Sequence, residues 1–349
     1  QIERRPRRRG GGAKVDFGDA AAMKWVFRGF LALVALLVIA FLLFRTPDTD
    51  AAEMRAKYGG PPSQFVEIGE GVTVHLRDEG PKQAPALILL HGSNADLHTW
   101  EPWVQALKAK YRVIRFDQVG HGLTGPDPKD DYSRANYVAD VGAVADKLGL
   151  KQFILGGNSM GGKHALAYAI AHPERVTGLV LVDGSGGPML KLDRKKDDED
   201  SGNIGFKIAQ TPGINLLVEQ ITPRSLIAQS LEQSVSVKSV ANAAAVDRYW
   251  EMLRYPGNRR ATLKRFSQPY DPLGEAEIAA VATPALILWG EEDRLIPVEA
   301  GQWLAKTLPN NRLVVYPGIG HLPQEEAVAA TLGDLLPWLD RLTGDTPAL

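Results

Sequence analysis

Apolar residues run along this chain in two distinct patterns. Over 25–44 they form an almost unbroken segment, WVFRGFLALVALLVIAFLLF, in which Arg28 is the only charge. Beyond about Pro62, short apolar runs punctuated by Pro and Gly alternate with longer stretches of helical spacing. The short runs predict strands over 72–76, 86–90, 112–116, 153–155, 178–182, 285–289 and 313–316. Most are continuous in Leu, Ile and Val, as strands buried on both faces should be. Helical spacing with good helix formers occupies 132–148, 160–171, 298–308 and 324–342. Such alternation predicts the α/β class, a parallel sheet covered by helices on both faces. From about Pro188 to Asp271 the rhythm breaks into helix-like pieces with no strong strand, entered through a charge run over 191–200. That stretch is predicted to be an inserted helical cap with a solvated entry.

The run over 25–44 is close to the ~20 residues needed to cross a bilayer. Although the formal net charge is only -1, Arg4, Arg5, Arg7, Arg8, Arg9, Lys14, Lys24 and Arg28 all lie before residue 30. A basic tail leading straight into an apolar segment is a topology signal rather than a nucleic-acid footprint. Because Asp48, Asp50 and Glu53 follow, the charge asymmetry predicts a cytoplasmic N-terminus and a domain outside the cytoplasm. A cleaved signal peptide competes, but its apolar core is usually ~7 to 15 residues long with a small-x-small site, and 50–52 offers no good one. A packed core helix is the third reading, disfavoured because the segment precedes every strand signal. The expected organisation is a basic tail over 1–23, an anchor over 24–45, a linker over 46–62, a core over 63–187 and 272–349, and the cap over 188–271. With no cysteine, disulfides, thiolate catalysis and Cys-ligated metals are excluded.

The candidate chemistry sits where predicted strands end. The apolar strand at 153–155 runs into Gly157-Asn158-Ser159-Met160-Gly161 and then into a helix-like stretch. A sharp strand-to-helix turn needs small residues two before and two after the nucleophile, here Gly157 and Gly161, and it holds the Ser159 hydroxyl clear of the sheet. Serine needs a base, and the base needs an orienting acid. His321, in Gly320-His321-Leu322, follows the strand at 313–316 and is the candidate base. His75, His164 and His172 lie within or beside predicted elements and read as structural or surface residues. Asp293, after the strand at 285–289, is the candidate acid, with Glu291 and Glu292 as near competitors and Asp183 as a more distant one. Oxyanion donors are expected from the N–H of Met160 and from the loop after the 86–90 strand, where Ser93 is the candidate and His91 and Gly92 shape the turn.

Taken together, His91-Gly92-Ser93, Asp117-Gln118-Val119-Gly120-His121-Gly122, the Ser159 turn, 290–297 and Gly320-His321 resemble the α/β-hydrolase superfamily. The resemblance covers about 62–342 and points to the branch of capped esterases, lipases and meta-cleavage-product C–C hydrolases. It implies a mainly parallel eight-stranded sheet, a helical cap, no cofactor and an acyl-serine intermediate, with Ser159, Asp293 and His321 in the family's chain order. Gln118-Val119 departs from the pattern, since many relatives carry Pro before the Gly-x-Gly. The apolar segment ahead of the domain is similar in placement to that of membrane-bound monoacylglycerol lipases.

The primary expectation is therefore a membrane-anchored serine hydrolase of lipophilic or small acyl esters, acting on a small-molecule or lipid ester, with no metal and no nucleic-acid partner. Met189, Leu190, Phe206, Ile214, Leu216 and Trp250 are the apolar residues available to line its acyl pocket. A C–C bond hydrolase is the alternative on the same residues, favoured if basic or polar groups in the pocket could hold a second carboxylate; perhydrolysis is a further one. Epoxide hydrolases and haloalkane dehalogenases use aspartate at the turn, where this chain has Ser159. A non-catalytic anchored binding protein is the reading from another class. No His-Glu-x-x-His and no phosphate-binding Gly-x-x-x-x-Gly-Lys-Ser/Thr occurs, and no strand-linked dinucleotide fingerprint emerges.

Overall fold

The computed structural model describes residues 18–187, 204, 207, 211, 219–269 and 271–344. Two compact units divide the chain, 1–45 and 46–349. The first holds helix α1 (Gly18–Phe44). Its stretch Met23–Phe44 is long and apolar enough to cross a membrane and is not buried. At ~1.5 Å per residue it reaches about 33 Å, against a hydrocarbon core of roughly 30 Å. A signal sequence would meet the same criteria of length and composition.

The second unit is built on an eight-stranded sheet in the order β1-β2-β4-β3-β5-β6-β7-β8. The strands are β1 (Ser63–Gly69), β2 (Val72–Glu79), β3 (Ala86–Leu90), β4 (Arg112–Phe116), β5 (Phe153–Asn158), β6 (Val176–Val182), β7 (Ala285–Gly290) and β8 (Asn311–Tyr316). Pairing is antiparallel at β1–β2 and β2–β4 and parallel across the other five pairs. Successive residues of the parallel strands point to opposite faces. Ile88, Leu90, Leu155, Leu179, Leu181 and Ile287 therefore enter one cluster with helices α4 (Arg134–Lys147) and α5 (Met160–Ala171). Leu87, Leu89, Ile154, Val180, Leu286 and Leu288 enter the other, against Trp103 and Val104 of α3 (Glu101–Leu107) and Leu335 and Leu339 further on. Burial on both faces is why these strands read as unbroken apolar runs.

Strand β1 and helices α2 (Ala51–Tyr58) and α3 are among the elements with no counterpart in the pattern of apolar runs. Strand β1 is an edge strand whose Gln64, Phe65 and Glu67 are exposed, so it carries no continuous apolar signal. Helix α3 is a short element opening on Glu101-Pro102. Within 46–62, read as a linker, Ala51–Tyr58 forms helix α2, capped by Asp50, whose side chain accepts the Glu53 N–H at 2.8 Å. One apolar residue of α2, Met54, packs with Leu123, Met252 and Tyr255. The helix expected over 324–342 is interrupted at Ala327.

Of the stretch read as a cap, the described residues contain three longer helices, α6 (Arg224–Ser234), α7 (Ala243–Leu253) and α8 (Asn258–Ser267), and no strand. The charge run over 191–200 lies outside the described residues. Arg248 of α7 reaches the buried Asp96 in the loop after β3, at 3.2 Å. Burial alone would push the Asp96 carboxyl up, but Arg248 and His98 hold it well below the usual carboxylate range. After α8 come α9 (Glu275–Ala279), α10 (Val298–Thr307), α11 (Pro323–Glu326) and α12 (Val328–Thr343).

Candidate active site

Ser159 stands between β5 and α5 with φ +54°, a left-handed conformation that few non-glycine residues adopt. Its N–H donates to Val182 O at 3.0 Å, which ties the turn to the neighbouring strand. The flanking glycines follow from space. A Cβ on Gly161 would lie 2.3 Å from Leu90 O, and one on Gly157 would lie 2.3 Å from the Gly161 carbonyl. Met160 opens α5, so its N–H has no acceptor within the helix.

His321 and Asp293 meet directly. The ring Nδ1 is 2.7 Å from Asp293 Oδ2, and because a carboxylate only accepts, Nδ1 carries the hydrogen and Nε2 is left as the basic nitrogen. The other carboxylate oxygen of Asp293 accepts the N–H groups of Leu295 and Ile296, at 2.7 and 3.0 Å. Glu291 and Glu292, the near competitors, are exposed. Around His321 the backbone is braced by Glu326, whose carboxylate accepts from the N–H groups of Ser236, Val237, Gly320 and Leu322 within 3.0 Å. Asn158 Nδ2 donates to His321 O at 3.1 Å. Asn158 lies in the Ser159 turn of the sequence but carries no role there, and nothing in the sequence distinguishes Glu326 from other polar residues.

Asp183, the distant competitor, is fully buried at the exit of β6. One oxygen accepts the Gly290 N–H at 3.0 Å, and the other accepts no hydrogen bond among the described residues. Asp183, Asp293 and His321 each offer a polar atom, all within 4.8 Å of one another. Burial first, and the charge of Asp293 next, push the Asp183 carboxyl well above the usual range.

Ser159 and His321 open onto one cleft of ≈ 1010 Å³, mouth included, together with Gly92, Ser93 and Asn158. Their side chains share it without a direct hydrogen bond, as happens in unliganded sites that tighten when substrate binds. Ser93 lies on the turn after β3, and its N–H meets no acceptor among the described residues. Leu226, Ile227, Leu231, Leu253, Leu263 and Leu322 make much of the wall. Trp250 is not part of it: its indole donates to Thr222 O at 2.7 Å, and the Arg254 guanidinium sits 4.0 Å over its ring. Met189, Leu190, Phe206, Ile214 and Leu216 lie outside the described residues. Arg259 is the only Lys or Arg in the described wall, and it is committed to Asp48 at 2.6 Å and Thr46 O at 2.8 Å.

Four other histidines are held in buried hydrogen-bond networks. His91 Nε2 accepts the Gln118 N–H at 3.0 Å, while Gln118 returns its side-chain amide to His91 O and accepts from His164. Gln118, in the loop that departs from the resembled pattern, therefore bridges two buried imidazoles. His75 spans Ser63 Oγ at 2.8 Å and Asp117 Oδ2 at 2.7 Å, an arrangement that mimics a triad but does not line the cleft. Asp117 also accepts the Leu97 and Leu123 N–H groups, whereas His121 turns to Val119 O and Arg265, so the two do not converge on a common metal position.

The family model for the alpha/beta hydrolase fold matches residues 85–328. The chain is 30% identical to a 2-hydroxymuconate semialdehyde hydrolase of Pseudomonas putida, over 76% of this chain and 92% of that protein. It is 33% identical to a 2-hydroxy-6-oxononadienedioate/2-hydroxy-6-oxononatrienedioate hydrolase of Burkholderia vietnamiensis, over 75% and 88% of the two chains. Among solved structures it is similar to a membrane phospholipase A described as a bacterial virulence factor, with a TM-score of 0.68, 26% identity and coverage of 90% of this chain and 99% of the other. With the sheet order and the Ser159 turn, these likenesses establish that the chain belongs to the alpha/beta hydrolase fold family.

Proposed function

We propose that the protein is a serine carboxylic-ester hydrolase acting on lipophilic acyl esters. Ser159 Oγ attacks the ester carbonyl carbon while His321 Nε2 takes its proton and Asp293 orients the ring. The N–H groups of Met160 and Ser93 hold the oxyanion. The alcohol departs with the proton from His321, and a water activated by the same nitrogen then releases the acid from the acyl-serine. The observation that carries the reading is the His321–Asp293 hydrogen bond opening onto the same cleft as Ser159.

Two features support an ester with an apolar acyl group. Leucine and isoleucine supply seven of the twenty residues of the described wall, and its one arginine is already engaged by Asp48, which leaves no free cation there for an anionic substrate. The likeness to a membrane phospholipase A, over 90% of this chain, points the same way. We further propose that 25–44 anchors the enzyme in a membrane with its catalytic unit outside the cytoplasm, on the charge asymmetry around that segment.

The relatives at 30% identity and above favour a second reading, hydrolysis of a C–C bond in a vinylogous keto acid by the same three residues. One experiment separates the two. The purified protein and its Ser159→Ala variant are assayed against p-nitrophenyl esters from acetate to palmitate, a monoacylglycerol and a 2-hydroxy-6-oxo-dienoate, with fluorophosphonate labelling alongside. Ester turnover lost in Ser159→Ala supports the first reading, and turnover of the dienoate alone replaces it with the second. Equal labelling of both proteins rejects Ser159 as the nucleophile.

A further inference from the structure

Helix α8 ends beside the reacting centre and contributes Arg265, which the mechanism above does not use. Its Nη1 donates to Ser93 Oγ at 3.0 Å and to His121 Nε2 at 2.7 Å, with Met160 Sδ at 3.1 Å as a weak further acceptor. Its Nη2 donates to Asn94 Oδ1 at 3.0 Å and to Thr262 Oγ1 at 3.3 Å. One guanidinium thus touches the side chains of both residues whose N–H groups are assigned to the oxyanion. We propose that Arg265 is the positioning residue of the oxyanion hole, fixing the Ser93-Asn94 turn against the Ser159 turn and keeping a positive charge behind the donors.

Three observations carry this. Asn94 has φ +58°, and its side chain is held by Arg265 and, at 3.0 Å, by the Thr262 hydroxyl; a left-handed residue persists where its surroundings over-determine it. No carboxylate pairs with Arg265 among the described residues, so its charge is not neutralised locally. His121 donates Nδ1–H to Val119 O at 3.0 Å and so presents Nε2 as an acceptor, the neutral form that its burial also favours. The positive charge of this network therefore rests on Arg265, where negative charge developing on a carbonyl oxygen would feel it at no cost in reorganisation. Ser93 and Asn94 line the cleft and Arg265 does not, so it acts through them.

The inference rests on the proposed Ser159 chemistry, and its test is chosen to fail separately. In Arg265→Met, kcat on an ester should fall about 10- to 100-fold with KM within about threefold, less than the full loss of an oxyanion donor. Affinity for an alkyl boronic acid, whose tetrahedral adduct places an oxygen in the hole, should fall in parallel with kcat. Free guanidinium ion at millimolar concentration should restore part of both. Should Arg265→Met fail to fold, Arg265→Lys carries the test: it keeps the charge but loses the fork, and kcat and boronic acid affinity should both fall at least about fivefold. If wild type turns over no ester, the rate of fluorophosphonate labelling replaces kcat. A wild type inert to esters and probe overturns the Ser159 reading and this inference with it. A reactive wild type matched by its Arg265 variants, or variants that change KM and stability without changing boronic acid affinity, overturns this inference alone.

Discussion

Asp183 and Asp293 leave the ends of adjacent strands β6 and β7 and bring a carboxyl oxygen each within 4.8 Å of the other and of a His321 nitrogen. Two carboxylates so close in a buried site do not both ionise readily. Asp293 receives two backbone N–H groups and the imidazole, whereas Asp183 receives one N–H. The proton belongs on Asp183.

The two Asp-to-Asn substitutions should therefore part company. Asp183→Asn replaces a neutral acid by a neutral amide of the same shape and should leave kcat within about threefold. Asp293→Asn can present its amide N–H to His321 and reverse the tautomer, costing on the order of 10⁴ in kcat. Steady-state kinetics, or labelling rates, on the two variants check this. The reverse ranking would move the acid to Asp183.

Asp140 gives a pH signature outside the site. It is buried on α4, and burial first, then Asp127, Asp131 and Glu70, raise its pKa to about 7. A carboxyl whose folded pKa is raised favours the folded state at low pH; that advantage is lost as pH rises from the ordinary value of roughly 4 towards 7. Asp140→Asn should match wild type in thermal stability at pH 4 and exceed it at pH 8 by on the order of a few kcal/mol. Melting curves at the two pH values decide, and a variant less stable at pH 8 contradicts the assignment.

Gly161→Ala tests the tightness of the Ser159 turn. The added methyl would sit 2.3 Å from Leu90 O and 2.7 Å from His91 O, both backbone atoms on the oxyanion side. Something must shift, and a loss of stability of roughly 3 kcal/mol or more with loss of labelling is expected. Circular dichroism melting with probe labelling reads both.

Glu326→Ala leaves four N–H groups of the His321 loop and of Ser236-Val237 without their carboxylate. Hydrogen bonds to a charged acceptor are worth about 1.5–3 kcal/mol each, partly recovered by water. A lower melting temperature and a drop in kcat of about tenfold or more are expected, because the loop carrying His321 loses its brace. Unchanged kcat would show that Asn158 and the β8 exit suffice to hold the ring.

Local chemistry made some features legible. Ala86–Leu90 and Arg112–Phe116 were readable end to end because each strand is buried on both faces, and the turn at Ser159 because its glycines answer to atoms only a few residues away or on the adjoining strand. Edge strand β1 and helix α2 were not. The first is half solvated, and the second buries Met54, with Ala51 and Tyr58 beside it, only against Leu123, Met252 and Tyr255 from distant parts of the chain.

What the sequence determined by itself was the α/β alternation, the apolar segment over 25–44 and the residue types at the strand ends, since periodicity and turn chemistry are short-range properties. Which carboxyl faces His321, that Asp183 stands beside it as a buried partner, that Arg259 is already paired, and that Arg265 reaches Ser93 and Met160 from over a hundred residues away were decided only by tertiary structure. The reason is that charge and hydrogen bonding depend on separation in space and on burial, and neither follows from distance along the chain.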